Sequence, residues 1–226
     1  MTSAGALASA TCFGGSGNEH CGGVAADSNG NAYIAGGTYS SNFPTAGAVQ
    51  ASLAGGEDAF AAKIDTSGAK IGYSTYLGRP PGSSPPGLLE QANGIAVDAA
   101  GAAYVTGVTN SAGFPVTSGS LRTAYNGAQD AFAVKINPSG SALTYGTYLG
   151  GSGGIWATAV ACDANGDAFI GGYTSSFDFP TVSPVQAALG GYYDAFVSEL
   201  DAKGDALLFS TYYGGSGAES TTRPCD

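Results

Sequence analysis

Two columns of aspartate recur along this chain of 226 residues. Asp27, Asp98 and Asp163 each open an Asp-x-x-Gly stretch, and Asp58, Asp130 and Asp194 each open Asp-Ala-Phe. Carboxylates in number suggest acid–base work or calcium. Their recurrence argues for a scaffold instead, because a single active site breaks repeat symmetry and turn or strand-end aspartates have a local role, accepting hydrogen bonds from their own backbone. DSNGN and DANGD also depart from a calcium loop. Their Gly is fourth rather than sixth, no distal Glu follows, and the middle copy reads DAAGA. His20 is the only histidine, so zinc lacks a second imidazole, and no motif marks a Ser or Cys nucleophile beside it. Gly-Gly-Ser-Gly at 14–17, 150–153 and 214–217 lacks the Lys-Ser/Thr ending of a phosphate loop. These residues predict no catalytic group, no cofactor and no metal, and hence no enzyme.

Residues that break the repeat carry more functional weight. They are Trp156, Tyr192, Tyr193, Arg79, Arg122 and the Pro-rich stretch RPPGSSPPGLLE, residues 79–90. Exposed aromatics stack on sugar faces or fill protein interfaces; the competing role for Trp156 is a core residue at a blade boundary. Proline stiffens the insertion, making it the partner-specific feature expected from sequence. Cys12, Cys21, Cys162 and Cys225 are even in number and are the disulfide candidates; four cysteines allow three pairings.

The elements behind these residues are legible as a repeat. GGVAADSNGNAYIAGGTYSSNFPT, NGIAVDAAGAAYVTGVTNSAGFPV and ATAVACDANGDAFIGGYTSSFDFPT align, and each leads to an Asp-Ala-Phe segment ending in TYLG or TYYG. The Asp-Ala-Phe anchors at 58, 130 and 194 lie 72 and then 64 residues apart, and most of the difference is the Pro-rich insertion. Each unit predicts four strands, with Asp/Asn-x-x-Gly hairpin turns after the first and third. Alternation in DAFAVKI places Phe132, Val134 and Ile136 on one face and Ala131, Ala133 and Lys135 on the other. The segments AVQASLAGG and PVQAALGG predict helical turns in a cover over the blade edge. GALASATCFGGSG matches a fourth strand and TTRPCD begins a first, so the expectation is all-β: three full four-stranded antiparallel blades of propeller type plus one extra strand at each end. The divisions are 1–21 (N-terminal strand and connection), 22–78, 79–150, 151–215 and 216–226 (start of a fourth repeat).

This pattern resembles the SBBP family, the bacterial β-propeller repeat. The resemblance rests on GIAVDAAGAAYVTG, the Phe-Pro element, the Asp-Ala-Phe strand and the TYLGG ending. It implies a blade-like sheet per repeat in secreted or surface bacterial proteins, and no enzymatic activity.

Composition narrows the function classes. A net charge of −10 with 7 Lys plus Arg is unsuited to nucleic acid or anionic membranes, and no apolar run is long enough to insert in a bilayer as a helix. Little Lys beside abundant Gly, Ser, Thr and Tyr predicts an extracellular or cell-surface protein, although MTSAGALASA has neither the basic start nor the apolar core of a signal peptide. Three blades fall short of the four to eight that usually surround a channel. The leading expectation is therefore a structural or interaction protein that joins copies of itself head to tail, into a filament or a ring, with Leu7–Phe13 and Thr221–Cys225 completing shared sheets and cysteines available to lock the junction. The alternative is a carbohydrate- or protein-binding propeller module acting on glycans or other surface proteins, and an enzyme ranks third. Thermal melting with and without a chelator checks the metal expectation: the two curves should coincide, and a large loss of stability would assign the Asp-x-Asn-Gly turns to calcium.

Overall fold

A computed structural model describes residues 9–80, 89–126 and 129–217. Those residues form twelve strands and no helix. The first blade is β1 (Glu19–Ala26), β2 (Ala32–Thr38), β3 (Asp58–Ile64) and β4 (Ile71–Leu77). The second is β5 (Glu90–Val97), β6 (Ala103–Thr109), β7 (Asp130–Ile136) and β8 (Leu143–Leu149). The third is β9 (Ile155–Cys162), β10 (Ala168–Thr174), β11 (Asp194–Leu200) and β12 (Leu207–Tyr213). Each blade is one antiparallel sheet with its strands in chain order. Val24, Ile95 and Val160 occupy equivalent registers, opposite Ile34, Val105 and Ile170.

The turns form for a local reason. Asp27 Oδ1 accepts hydrogen bonds from the backbone N–H groups of Asn29 (3.0 Å) and Asn31 (2.9 Å); Asp98 and Asp163 do the same in their blades. With the Asn31 side chain donating as well, the Asp27 carboxyl is held down to about 2. Gly30, Gly101 and Gly166 close these turns at φ 82°, 85° and 89°, and Gly68, Gly140 and Gly204 close the second turns at 69° to 76°. A Cβ is strained at such angles.

The Asp-Ala-Phe aspartates serve the covers. Asp58, Asp130 and Asp194 are fully buried. Asp58 Oδ2 accepts from the Ala54 N–H and the Gln50 side chain; Asp194 accepts from the Gly190 N–H and Gln186; Asp130 accepts from the Asn126 N–H and from Arg122. The cover segments are then tied to the fourth strands by isolated bridges, Ala46 to Ser74 and Val182 to Ser210, rather than coiled. The expected helical turns are therefore absent from AVQASLAGG and PVQAALGG: capture by the buried Asp and the strand edge satisfies backbone groups that a helical turn would satisfy internally. A tyrosine on each fourth strand holds the other end of the connection. Tyr76, Tyr148 and Tyr212 donate to the carbonyls of Ser40, Ser111 and Ser176 and accept from the N–H groups of Phe43, Phe114 and Phe179.

The core lies between blades. Phe132, Val134 and Ile136 pack toward the first blade, whereas Ala131 and Ala133 pack toward the third, the two faces that alternation assigned. Tyr73 lies against Gly140 and Tyr145 against Gly204, so these glycines are needed for close approach as well as for φ. The single O–H of Tyr33 is shared between Asp27 and the Gly101 carbonyl of the next blade, and Tyr104 repeats this with Asp98 and Gly166. Lys63 and Lys135 sit over these two rings, 5.0 and 4.6 Å from their centroids. First strands of successive blades touch, with β1 against β5 and β5 against β9, so each blade is a wedge that narrows inward.

Of the extra strands, Ser9–Phe13 is described and is not strand, while residues 1–8 and 218–226, including Cys225, lie outside the described residues. The N-terminal segment nonetheless docks. Phe13 meets Phe43 edge-on at 5.0 Å, as the corresponding Leu77 and Leu149 join the clusters containing Phe114 and Phe179. Cys12, Cys21 and Cys162 are free thiols, so the expected disulfides do not form among them. Tyr148→Phe tests the buried hydroxyl. It leaves the Ser111 carbonyl and the Phe114 N–H without a partner, and should lower stability to urea unfolding by about 2 kcal/mol.

Candidate functional site

The first strand of every blade carries a bulge. Cys21 and Gly23 pair with consecutive residues of β2, as do Ala92 and Gly94 with β6 and Ala157 and Ala159 with β10, leaving Gly22, Asn93 and Thr158 as the unpaired residues. A bulge re-aims a side chain, and bulges concentrate beside functional sites. Gly22 lies so close to the Ala92 carbonyl that a Cβ would not fit.

Beside the bulge, three further positions differ between blades, and they differ in concert. In the first blade they hold His20, Gly37 and Glu57; in the second Gln91, Val108 and Gln129; in the third Trp156, Tyr173 and Tyr193. The first set is an acid–base pair. His20 Nδ1 lies 3.2 Å from Glu57 Oε1, and the Tyr39 hydroxyl donates to Glu57 Oε2 at 2.7 Å, which pushes the tyrosine upward in pKa. Gly37 leaves room for both side chains; a Cβ there would strike each. His20 is thus held beside Glu57, and its Nε2 has no hydrogen-bond partner among the described residues. The third set is aromatic. Trp156 and Tyr173 are stacked at 5.0 Å and 11°, and Tyr193 meets both rings edge-on at 5.7 and 5.9 Å.

A cleft of about 410 Å³ brings the second and third sets together with the two bulge residues. Gln91, Asn93, Gln129, Trp156, Thr158 and Tyr173 line it. Leu89 and Val108 complete the wall, and none of the described residues that line it is charged. Asn93 Nδ2 donates to the Ala157 carbonyl at 2.9 Å, bridging β5 to β9.

The remaining residues singled out from sequence fall elsewhere. Tyr192 is exposed and meets Tyr193 at 4.8 Å, on the rim of the aromatic group. Arg122 is bound to Asp130 and the Gly150 carbonyl. Arg79 is buried between blades one and two, where its charge opposes those of Asp58 and Glu90. Neither arginine is free for a ligand, because each neutralises a carboxylate that the fold has taken out of water. Of the Pro-rich insertion, residues 81–88 lie outside the described residues. Gln91, Gln129 and Tyr173 were missed by sequence reasoning, since each is unremarkable in its own strand. The available signal was the contrast of His20, Gln91 and Trp156 in one aligned column.

Glu90 makes the first blade junction sensitive to pH. Burial, then the nearby Asp58 charge, raises its carboxyl to about 7. Between its ordinary value of 4.5 and 7 the folded chain holds a proton that the unfolded chain releases, so stability is greatest below this window and is lost as pH rises through it. The loss should be no more than about 3 kcal/mol. Glu90→Gln should flatten the melting temperature against pH between these limits, leaving the contributions of Asp58 and Asp130, which burial also raises.

The sequence profile described as the SBBP beta-propeller repeat matches residues 13–44, 72–115 and 144–180, together half of the chain. No curated protein matches it significantly. The second and third matched segments each span a fourth strand and the first hairpin of the next blade, and the first covers the corresponding hairpin of blade one; the chain belongs to the SBBP beta-propeller repeat family.

Proposed function

We propose that this protein is an extracellular structural or interaction module, not an enzyme, that associates head to tail through its two open blade faces. One observation carries the reading: the open faces are the two halves of the junction already used twice inside the chain. On the first blade Val24 is 69% exposed, whereas the equivalent Ile95 is 7% exposed beneath its neighbour. On the third blade Val197 and Tyr213 are exposed at positions where Ala61, Ala133, Leu77 and Leu149 are buried. Apolar surface of this kind marks an interaction site. A contact between unlike faces closes a ring or runs on as a filament according to its rotation. Wedge-shaped blades favour closure, and two copies supply six blades, within the usual four to eight.

The junction between copies would differ from the internal ones. Phe169 stands where Tyr33 and Tyr104 reach the next blade, and Glu199 stands where Lys63 and Lys135 cover those rings. It lacks the hydroxyl and the cation, so it is weaker and reversible. The −10 charge of each copy opposes association, and salt screens that repulsion. Sedimentation velocity should therefore reveal a species of two chains that grows with protein and salt concentration and disappears in Val24→Asp and Val197→Asp. A chain that stays monomeric at the highest workable concentration defeats the proposal, and a series of ever larger species replaces the ring with a filament.

A further inference from the structure

We infer that the cleft between the second and third blades is a binding site for a neutral sugar ring, a function separate from association and contained within one chain. The chemistry of the wall selects the ligand. A partly exposed, flat aromatic pair, Trp156 on Tyr173, occupies one side, and Tyr193 braces both rings at their edges. Such a surface takes an apolar face. The remaining polar groups are amides and a hydroxyl: Gln91, Gln129, Asn93 and Thr158. Among the described residues the side-chain amides of Gln91 and Gln129 make no hydrogen bond, so both retain a donor and an acceptor for a ligand. A molecule with one flat C–H face and a rim of hydroxyls, carrying no charge, satisfies both sides at once. A pyranose in the gluco configuration has that form, since its equatorial hydroxyls leave the ring faces apolar. Among the described residues a charged ligand finds no counter-ion here, and a volume of about 410 Å³ lies within the range of small-molecule clefts.

The backbone is shaped for this wall. The bulges on β5 and β9 turn Asn93 and Thr158 toward the cleft, and the Asn93 bond to Ala157 holds the two strands in register. Gly154 lies beneath the indole, where a Cβ would collide with the six-membered ring. The concerted change from His20 and Glu57 to Gln91 and Gln129 to Trp156 and Tyr193 leaves the strand order of all three blades the same.

Trp156 is the only tryptophan, so its emission reports this site alone. The full chain should be titrated with neutral cello- and chito-oligosaccharides, following fluorescence and calorimetry, with polygalacturonate and a proline-rich peptide as comparisons. Expected are a change in Trp156 emission with a neutral oligosaccharide, an affinity insensitive to salt, and about tenfold or greater weakening in Trp156→Ala and Tyr173→Ala. Gln91→Ala and Gln129→Ala, which remove no core side chain, should also weaken binding while leaving the melting temperature unchanged. Repeating the titration with Val24→Asp, far along the chain from the cleft, should give the same affinity whatever the state of association. Absence of binding by every neutral oligosaccharide overturns the inference. So does binding that survives both glutamine variants, or preferential binding of the anionic polymer or the peptide.

Discussion

The contact of one blade's small-residue face with the next blade's aromatic and aliphatic face governs the rest of the molecule. A four-stranded sheet this poor in charge has apolar residues on both sides and must be covered twice. Ala59, Ala61, Ala131 and Ala133 keep one face shallow, and Phe132, Val134 and Ile136 make the other deep. Turn glycines complete the fit, because Tyr73 and Tyr145 rest on Gly140 and Gly204 of the following blade. Repeat arrays draw their stability from such neighbour interfaces. By the same measure Val24 on the first blade and Val197 and Tyr213 on the third are exposed where their counterparts inside the array are covered.

Polar chemistry is subordinate to that packing in most of the chain. The buried aspartates hold covers, the turn aspartates hold hairpins, and the fourth-strand tyrosines hold the Phe-containing connections. Arg79 and Arg122 are drawn inward for the same reason, since an unpaired buried carboxylate is costly. Near the bulged inner strands side chains change character from blade to blade while the backbone stays constant. That combination of a constant frame and changing chemistry is how repeat proteins carry function, with the site grafted onto a fold that does not specify it.

The third blade shows the two pressures meeting. Its outward face lacks the tyrosine hydroxyl and lysine of the internal junctions and carries Phe169, Val197, Glu199 and Tyr213 instead. Its inner strand supplies Trp156 to the cleft, where it stacks on Tyr173. Stability alone would favour another copy of the internal junction, so these substitutions are the strongest mark of specialisation in the chain.

Sequence by itself determined the fold class, the three blades, their strand order and the alternation of faces, because these follow from local rules: period-two patterning, Asp-x-x-Gly turns and threefold repetition. It also identified the recurring aspartates as scaffold and Trp156 as a residue worth attention. Tertiary structure decided the rest. Helical turns in AVQASLAGG and PVQAALGG gave way to capture by Asp58, Asp194 and the strand edge, a competition invisible in local propensity. Arg79, a binding or interface candidate by sequence, is buried instead. Three cysteines that suggested disulfides remain thiols, because pairing depends on separation in space. The cleft was least legible of all: Gln91, Gln129, Trp156 and Tyr173 come from different strands of two blades, and only the packing of those blades, with their bulges, makes them neighbours.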